Sequence, residues 1–118
     1  MREVEWTPAA VDSRNGIMTY LTAVGGLTFD EALAVSDQIE DFSYTLANYP
    51  ALTSLQVIAT SADGSVTYRE VKVKKSERYK LLYRLREGSS IIEIIYVRST
   101  SQNIDPKVIA AEYEAGLL

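Results

Sequence analysis

A chain of 118 residues, 47% apolar and 24% charged, has the length and composition of one soluble domain able to bury a core without staples. It contains no cysteine and no histidine, which removes disulfides, thiolate chemistry, the common zinc sites and every His-assisted nucleophile, so any catalysis falls to Lys, Arg, Tyr, Ser, Asp or Glu. The net charge is −4, no apolar run reaches the about 18 residues of a membrane helix, and "MREVEWTPAA" lacks a signal peptide's hydrophobic stretch, so a cytoplasmic protein without cofactor, metal or membrane partner is expected.

In chain order, "REVEW" alternates with the strand period, with Val4 and Trp6 in phase. Thr7 suits an N-cap and Pro8 the first helical position, which predicts a helix from Pro8 to about Val24. Ala10, Ile17, Leu21 and Val24 form its apolar face, Asn15 and Gly16 weaken it, and Gly25-Gly26 ends it. Thr28 and Glu31 make a capping box for a second helix. Ala32, Val35, Ile39, Phe42, Leu46 and Tyr49 then repeat at three- and four-residue spacing as one buried stripe, which Pro50 stops. Asp37, Glu40 and Asp41 lie off that stripe and read as a solvated face in preference to a metal patch.

From about Leu52 the period drops to two. "LTSLQVIAT" and "VTYREVKVK" read as strands joined by "SADGS", in which Asp63-Gly64 is a hairpin signal and the acidic ligands of a calcium loop are missing. "RYKLLYRLR" puts Tyr79, Leu81, Tyr83 and Leu85 on one face, and "IIEIIYVRS" is nearly continuous apolar sequence, as suits a central strand. Asp105 can cap a short helix, "PKVIAAEYEAGLL". The order β-α-α-β-β-β-β-α, with one strand fewer if residues 52–60 are irregular, predicts a single α+β domain over residues 1–118. In it a helical hairpin packs on one face of a mainly antiparallel sheet, with a short C-terminal helix.

The charge is unevenly distributed. Residues 1–68 hold two basic and nine acidic side chains, residues 69–98 nine and four, and residues 99–118 one and three, so the segments carry −7, +5 and −2. Strand alternation hides Val71, Val73, Tyr79, Leu81, Tyr83 and Leu85 under the helices and leaves Lys72, Lys74, Lys80, Arg84 and Arg86 as a basic plate on an open face, with Tyr68 in phase. One reading of such a plate is solubility alone. Gathered against the chain's net charge beside an aromatic group, it also suits a polyanion, whether nucleic acid or an acidic partner segment. The −7 half repels phosphates and disfavours nonspecific nucleic-acid binding.

"REVKVKKSERYKLLYRLREGSSIIEIIYVRS" resembles the C-terminal half of the RelE/ParE superfamily of bacterial type II toxins. The matching blocks are Arg69 to Val73, Tyr79 to Leu85, and Ile91 to Arg98. "VEWTPAAVDSRNGIMTYL" and "ALAVSDQIEDFSYTLANYP" resemble the family's first strand and long helical hairpin, so the likeness covers about residues 2–103. It implies a toxin that a cognate antitoxin neutralises in a hetero-oligomer, as in plasmid stabilisation. RelE-like members are ribosome-dependent mRNA endoribonucleases, and ParE-like members poison DNA gyrase without cutting nucleic acid.

Lys80 falls where RelE-like nucleases often carry a catalytic Arg, and Lys72 or Lys74 matches their basic strand residues. If the chain is an enzyme of that kind, Lys72 or Lys80 would serve as base, Arg84 and Arg98 would hold the phosphate, and Tyr96 or Tyr68 would stack a base. Ser99, however, sits where many relatives have His, and Ile104 near where a nuclease has Tyr. With the long hairpin and the acidic balance, the resemblance favours a ParE-like gyrase inhibitor over the nuclease and over a non-toxic binding relative. Its target- or antitoxin-binding residues would be Arg69, Lys72, Lys74, Lys80, Arg84, Arg86 and Arg98.

Overall fold

The computed structural model describes residues 2–49, 52–75 and 78–118. Strand β1 (Glu3–Trp6) leads into helix α1 (Pro8–Ala23) through Thr7, whose hydroxyl accepts the Ala10 amide at 3.2 Å and donates to the Ile94 carbonyl at 2.8 Å. One side chain thus caps the helix and ties its start to the sheet. Ala10 and Ile17 are buried and Leu21 packs against the same core, but Val24 is 69% exposed. It was expected on the buried face; instead it is the residue that ends the helix, beyond the last turn that reaches the core.

The turn that follows requires both glycines. A Cβ on Gly25 would come within 2.9 Å of the Leu21 carbonyl oxygen, and Gly26 has φ +73°. Helix α2 (Phe29–Thr45) opens on the expected capping box, with the Glu31 amide on the Thr28 hydroxyl at 3.2 Å and the Thr28 amide on the Glu31 carboxylate at 3.0 Å. Ala32, Ile39, Phe42 and Leu46 are buried, and Val35 and Tyr49 pack beside them, so the stripe is the core face. The α-helix ends at Thr45 and tightens into a 3-10 turn over Leu46–Asn48. Pro50, taken as its stop, lies outside the described residues.

Residues 52–60 are not one strand. Leu52–Ser54 form a second 3-10 turn, and only β2 (Val57–Thr60) is extended. Asp63 holds the hairpin that follows by accepting from the Ser65 amide at 3.0 Å and from the Ser61 and Ser65 hydroxyls at 2.7 Å each. Those bonds, led by the backbone one, hold its carboxyl down at about 2. Strands β3 (Val66–Lys72), β4 (Tyr79–Arg86) and β5 (Ile91–Ser99) complete a sheet of order β1-β5-β4-β3-β2, antiparallel except for the parallel β1–β5 pair.

The β4–β5 register changes once. Leu82 faces Tyr96, yet Tyr83 faces Ile94, so Ile95 is an extra residue, a β-bulge. Before it, even-numbered Ile92 and Ile94 point into the helix-side core; after it, odd-numbered Val97 does. Ile95 points the other way, into a second apolar cluster with Val66, Tyr68, Leu82, Ile109 and Ala110. The last two belong to α3 (Pro106–Glu114), capped by Asp105 through the Lys107 amide at 2.9 Å.

The sheet face opposite the hairpin is therefore not open along its whole length, as the alternation alone implied. Helix α3 covers the rows that contain Val66, Tyr68 and Leu82 and leaves uncovered the end where Lys72 and Lys80 stand. A central strand as apolar as β5 needs cover on both faces, and α3 supplies the second.

Candidate functional site

At the uncovered end, Lys72 of β3 lies opposite Lys80 of β4, and Lys80 lies opposite Arg98 of β5. The three side chains share the face opposite the hairpin, on strands spaced about 4.8 Å apart. Arg98 joins this row because of the Ile95 bulge. With plain alternation from Ile92 and Ile94 it would point toward the helices, and Val97 would stand beside Lys80.

Glu70 partly offsets the row. Its carboxylate grips Arg98 with two contacts, Nε at 2.7 Å and a terminal nitrogen at 3.1 Å, across the intervening β4. These bonds hold the Arg98 guanidinium above its ordinary pKa, against the opposing effect of burial. Among the described residues no carboxylate pairs with Lys72, which is exposed, or Lys80, which is half-buried. The site is a shallow row of two available ammonium groups and one committed guanidinium.

The other residues expected at this site have different partners. Arg84, expected on the open plate, is folded beneath α3. Burial works against its charge, but Glu93 receives Nε and a terminal nitrogen at 3.0 Å each, Glu114 lies 3.8 Å away, and the Tyr113 ring sits 4.7 Å beneath it; the balance raises its pKa. Arg69 is 9% exposed on the hairpin side, where it donates to the Leu55 carbonyl at 3.0 Å and to Thr67. Neither guanidinium belongs to an exposed plate. Lys74 lies just past the end of β3, and its ammonium sits 5.7 Å from the Tyr49 ring, so it leaves the row as well. Arg86 is exposed at the opposite end of β4, beside the Ser61–Ser65 turn.

Tyr68, expected to be available for stacking, is wholly buried and donates its hydroxyl to Glu114. Tyr96 is half-buried against the α3 cluster. Of the acidic helix face, Glu40 is engaged by Arg14 at 2.9 Å and by the Tyr44 hydroxyl at 3.2 Å. Among the described residues no acidic cluster able to hold a metal ion forms. Sequence reasoning overlooked Glu70, Glu93 and Glu114 as partners. Glu93 had a signal, because a hairpin turning over "EGSS" places it directly opposite Arg84.

Two buried tyrosines give the fold a measurable alkaline limit. Burial first and the Glu114 hydrogen bond second push Tyr68 up to about 12, and burial does the same for Tyr83. Both values lie above the unfolded value of about 10, so the linked stabilisation is complete below about pH 10 and is lost as the pH rises toward 12. Tyrosinate absorbance followed together with circular dichroism is expected to show late ionisation coincident with unfolding. Titration of every tyrosine as one class near pH 10, with the fold unchanged, would contradict this packing.

Comparison with known proteins agrees with this architecture. The family model described as ParE toxin of type II toxin-antitoxin system, parDE, matches residues 4–104. A solved structure titled chromosomal ParDE TA system from P. aeruginosa superposes with a TM-score of 0.56 at 16% identity, covering 84% of this chain and 96% of that one, a likeness of fold. No curated protein matches the chain.

Proposed function

We propose, for a chain that belongs to the ParE toxin family of type II toxin-antitoxin systems, that it arrests growth by binding DNA gyrase in the cytoplasm and is neutralised by an acidic antitoxin segment laid over the Lys72–Lys80 end of the sheet. The whole chain acts as one toxin unit. The observation that carries the choice of binding over cleavage is the commitment of the two arginines a nuclease would need. Arg84 and Arg98 each spend their guanidinium fork on a carboxylate, Glu93 and Glu70. A phosphate arriving there would have to displace a carboxylate already held in two-pronged geometry. A gyrase inhibitor requires a protein-binding surface and no proton transfer. Among the described residues no helix is long and apolar enough to cross a membrane.

Expression of the chain alone in a bacterium is expected to stop growth, and the purified chain to inhibit supercoiling by purified gyrase. Cleavage of mRNA on translating ribosomes, with supercoiling untouched, would replace this reading with the nuclease one. Normal growth with soluble protein would point to a non-toxic relative.

The antitoxin half of the proposal has its own test. Lys72→Glu combined with Lys80→Glu leaves the core intact and is expected to weaken binding of an acidic antitoxin segment about tenfold to a hundredfold at low salt, an effect that shrinks as salt is added. Unchanged affinity would return the two lysines to a solubilising role.

A further inference from the structure

We infer that the free end of the α1–α2 hairpin is a second docking surface, made for a protein surface whose apolar hollow is ringed by Lys and Arg. This rests on the toxin reading and assigns the target contact to a different part of the molecule from the antitoxin contact. Tyr20 on α1 and Val24 at its C-cap are 61% and 69% exposed, and Phe29 and Leu33 on α2 are 64% and 39% exposed. Each pair is one helical turn apart and all four occupy the hairpin's outer turns, so they gather at one end of the molecule. Large apolar side chains scattered singly over a surface need no explanation; a group on one projecting end does. Phe29 also lines a shallow cleft of about 230 Å³ with Met18, Thr19 and Thr22, a seat for a partner's side chain.

The charge around this group identifies the partner's chemistry. No Lys or Arg occurs between Arg14 and Arg69, while Asp30, Glu31 and Asp37 lie on the same stretch of hairpin. An apolar end whose own hairpin residues carry only negative charge attracts a basic rim and repels both the anionic lipid surface and the phosphate backbone. Lys and Arg gathered on a surface are the chemistry of proteins that handle nucleic acid. The end is also pre-organised: the Thr28–Glu31 capping box, the Gly25-Gly26 turn and the Leu27 amide on the Leu21 carbonyl at 3.0 Å hold it in one shape before any partner arrives. Little ordering entropy is then lost on docking.

The test compares the native chain with Val24→Ser/Phe29→Ser and with Asp30→Lys, after melting curves confirm that each variant is folded. Growth arrest on expression is the first readout, inhibition of purified gyrase the second, affinity for an acidic antitoxin segment the third. The serine pair is expected to raise the concentration needed for inhibition about tenfold or more, as loss of two central apolar anchors does, and to leave antitoxin affinity unchanged. Asp30→Lys is expected to weaken inhibition in a way that salt reduces.

A toxic native chain with an equally toxic serine pair would overturn the docking surface and leave the toxin reading standing. Undiminished inhibition by Asp30→Lys would overturn the basic partner. Light scattering that shows a native oligomer dissolved by the serine pair would assign the surface to a second copy of the chain. A native chain that arrests growth without inhibiting gyrase removes gyrase as the target, and the arrest phenotype of the two variants then decides for or against the hairpin end. A harmless native chain would overturn the toxin reading and this inference together.

Discussion

Tyr83→Ala is expected to lower the free energy of unfolding by about 3 to 5 kcal/mol, a large share of the about 5 to 15 kcal/mol that holds a domain together. The ring is wholly buried in the helix-side core, in register with Arg69 on one side and Ile94 on the other, so its loss leaves a cavity between three strands. Its hydroxyl donates to the Leu52 carbonyl at 2.9 Å and pins the 3-10 turn that precedes β2 to the middle of the sheet. Truncation therefore removes packing and orphans a buried acceptor at once. Tyr83→Phe separates the two effects: it keeps the ring and should cost only about 1 kcal/mol. Denaturant titration of both variants measures the difference, and a loss below about 1 kcal/mol for the alanine would contradict the burial.

Arg84→Ala is expected to cost about 2 to 3 kcal/mol, far beyond a surface substitution. The side chain is 16% exposed and Glu93 22%, so the pair is mostly, but not wholly, out of water, and the full penalty for breaking a buried pair is reduced accordingly. Removing the guanidinium leaves Glu93 without its fork, Glu114 without its nearest cation and the Tyr113 ring without the group stacked on it. These contacts bind α3 to the sheet, so local unfolding should concentrate there. Hydrogen exchange in residues 106–114 is expected to accelerate more than in β4. Replacing Lys72 and Lys80 leaves stability within about 0.5 kcal/mol, which marks the difference between a charge that holds the fold and one that faces a partner. Equal effects for Arg84 and Lys72 would show that α3 is not held by this cluster.

The helices were legible in the sequence because their signals are local. The Thr28–Glu31 capping box, the stripe from Ala32 to Tyr49 and the Thr7-Pro8 start each need only neighbours within a turn or two. The hairpin partners of β3 and β4 were legible for the same reason. What α3 covers was not, since a nine-residue helix does not announce which surface it meets. Yet two residues pointed to it. Leu82 stood among the cations of the supposed plate, and Ile94-Ile95 supplied apolar side chains to both faces of β5, which one covering layer cannot bury. The basic plate was overcounted because alternation assigns a face and says nothing of partners across it. Glu93 follows from the β4–β5 hairpin, but Glu70 and Glu114 are distant in sequence from the arginines they bind, and only the sheet register across β4 and the docking of α3 bring them there.

The extra residue in β5 makes this strand a coded message with a frameshift. Upstream of Ile95, even numbers spell core; downstream, odd numbers do. Deletion of Ile95 would remove the extra residue and let plain alternation carry Ile94 and Val97 inward and Arg98 outward, so the basic end should survive it, whereas straightening the strand with Ile95 retained would turn Val97 away from the core and Arg98 toward the helices. A chain lacking the extra residue, aligned to this one without a gap through this point, would have the wrong residues assigned to the basic end. The bulge absorbs one residue of the strand and thereby keeps the Arg98 cation on the interface face although the count upstream of it runs in the other phase.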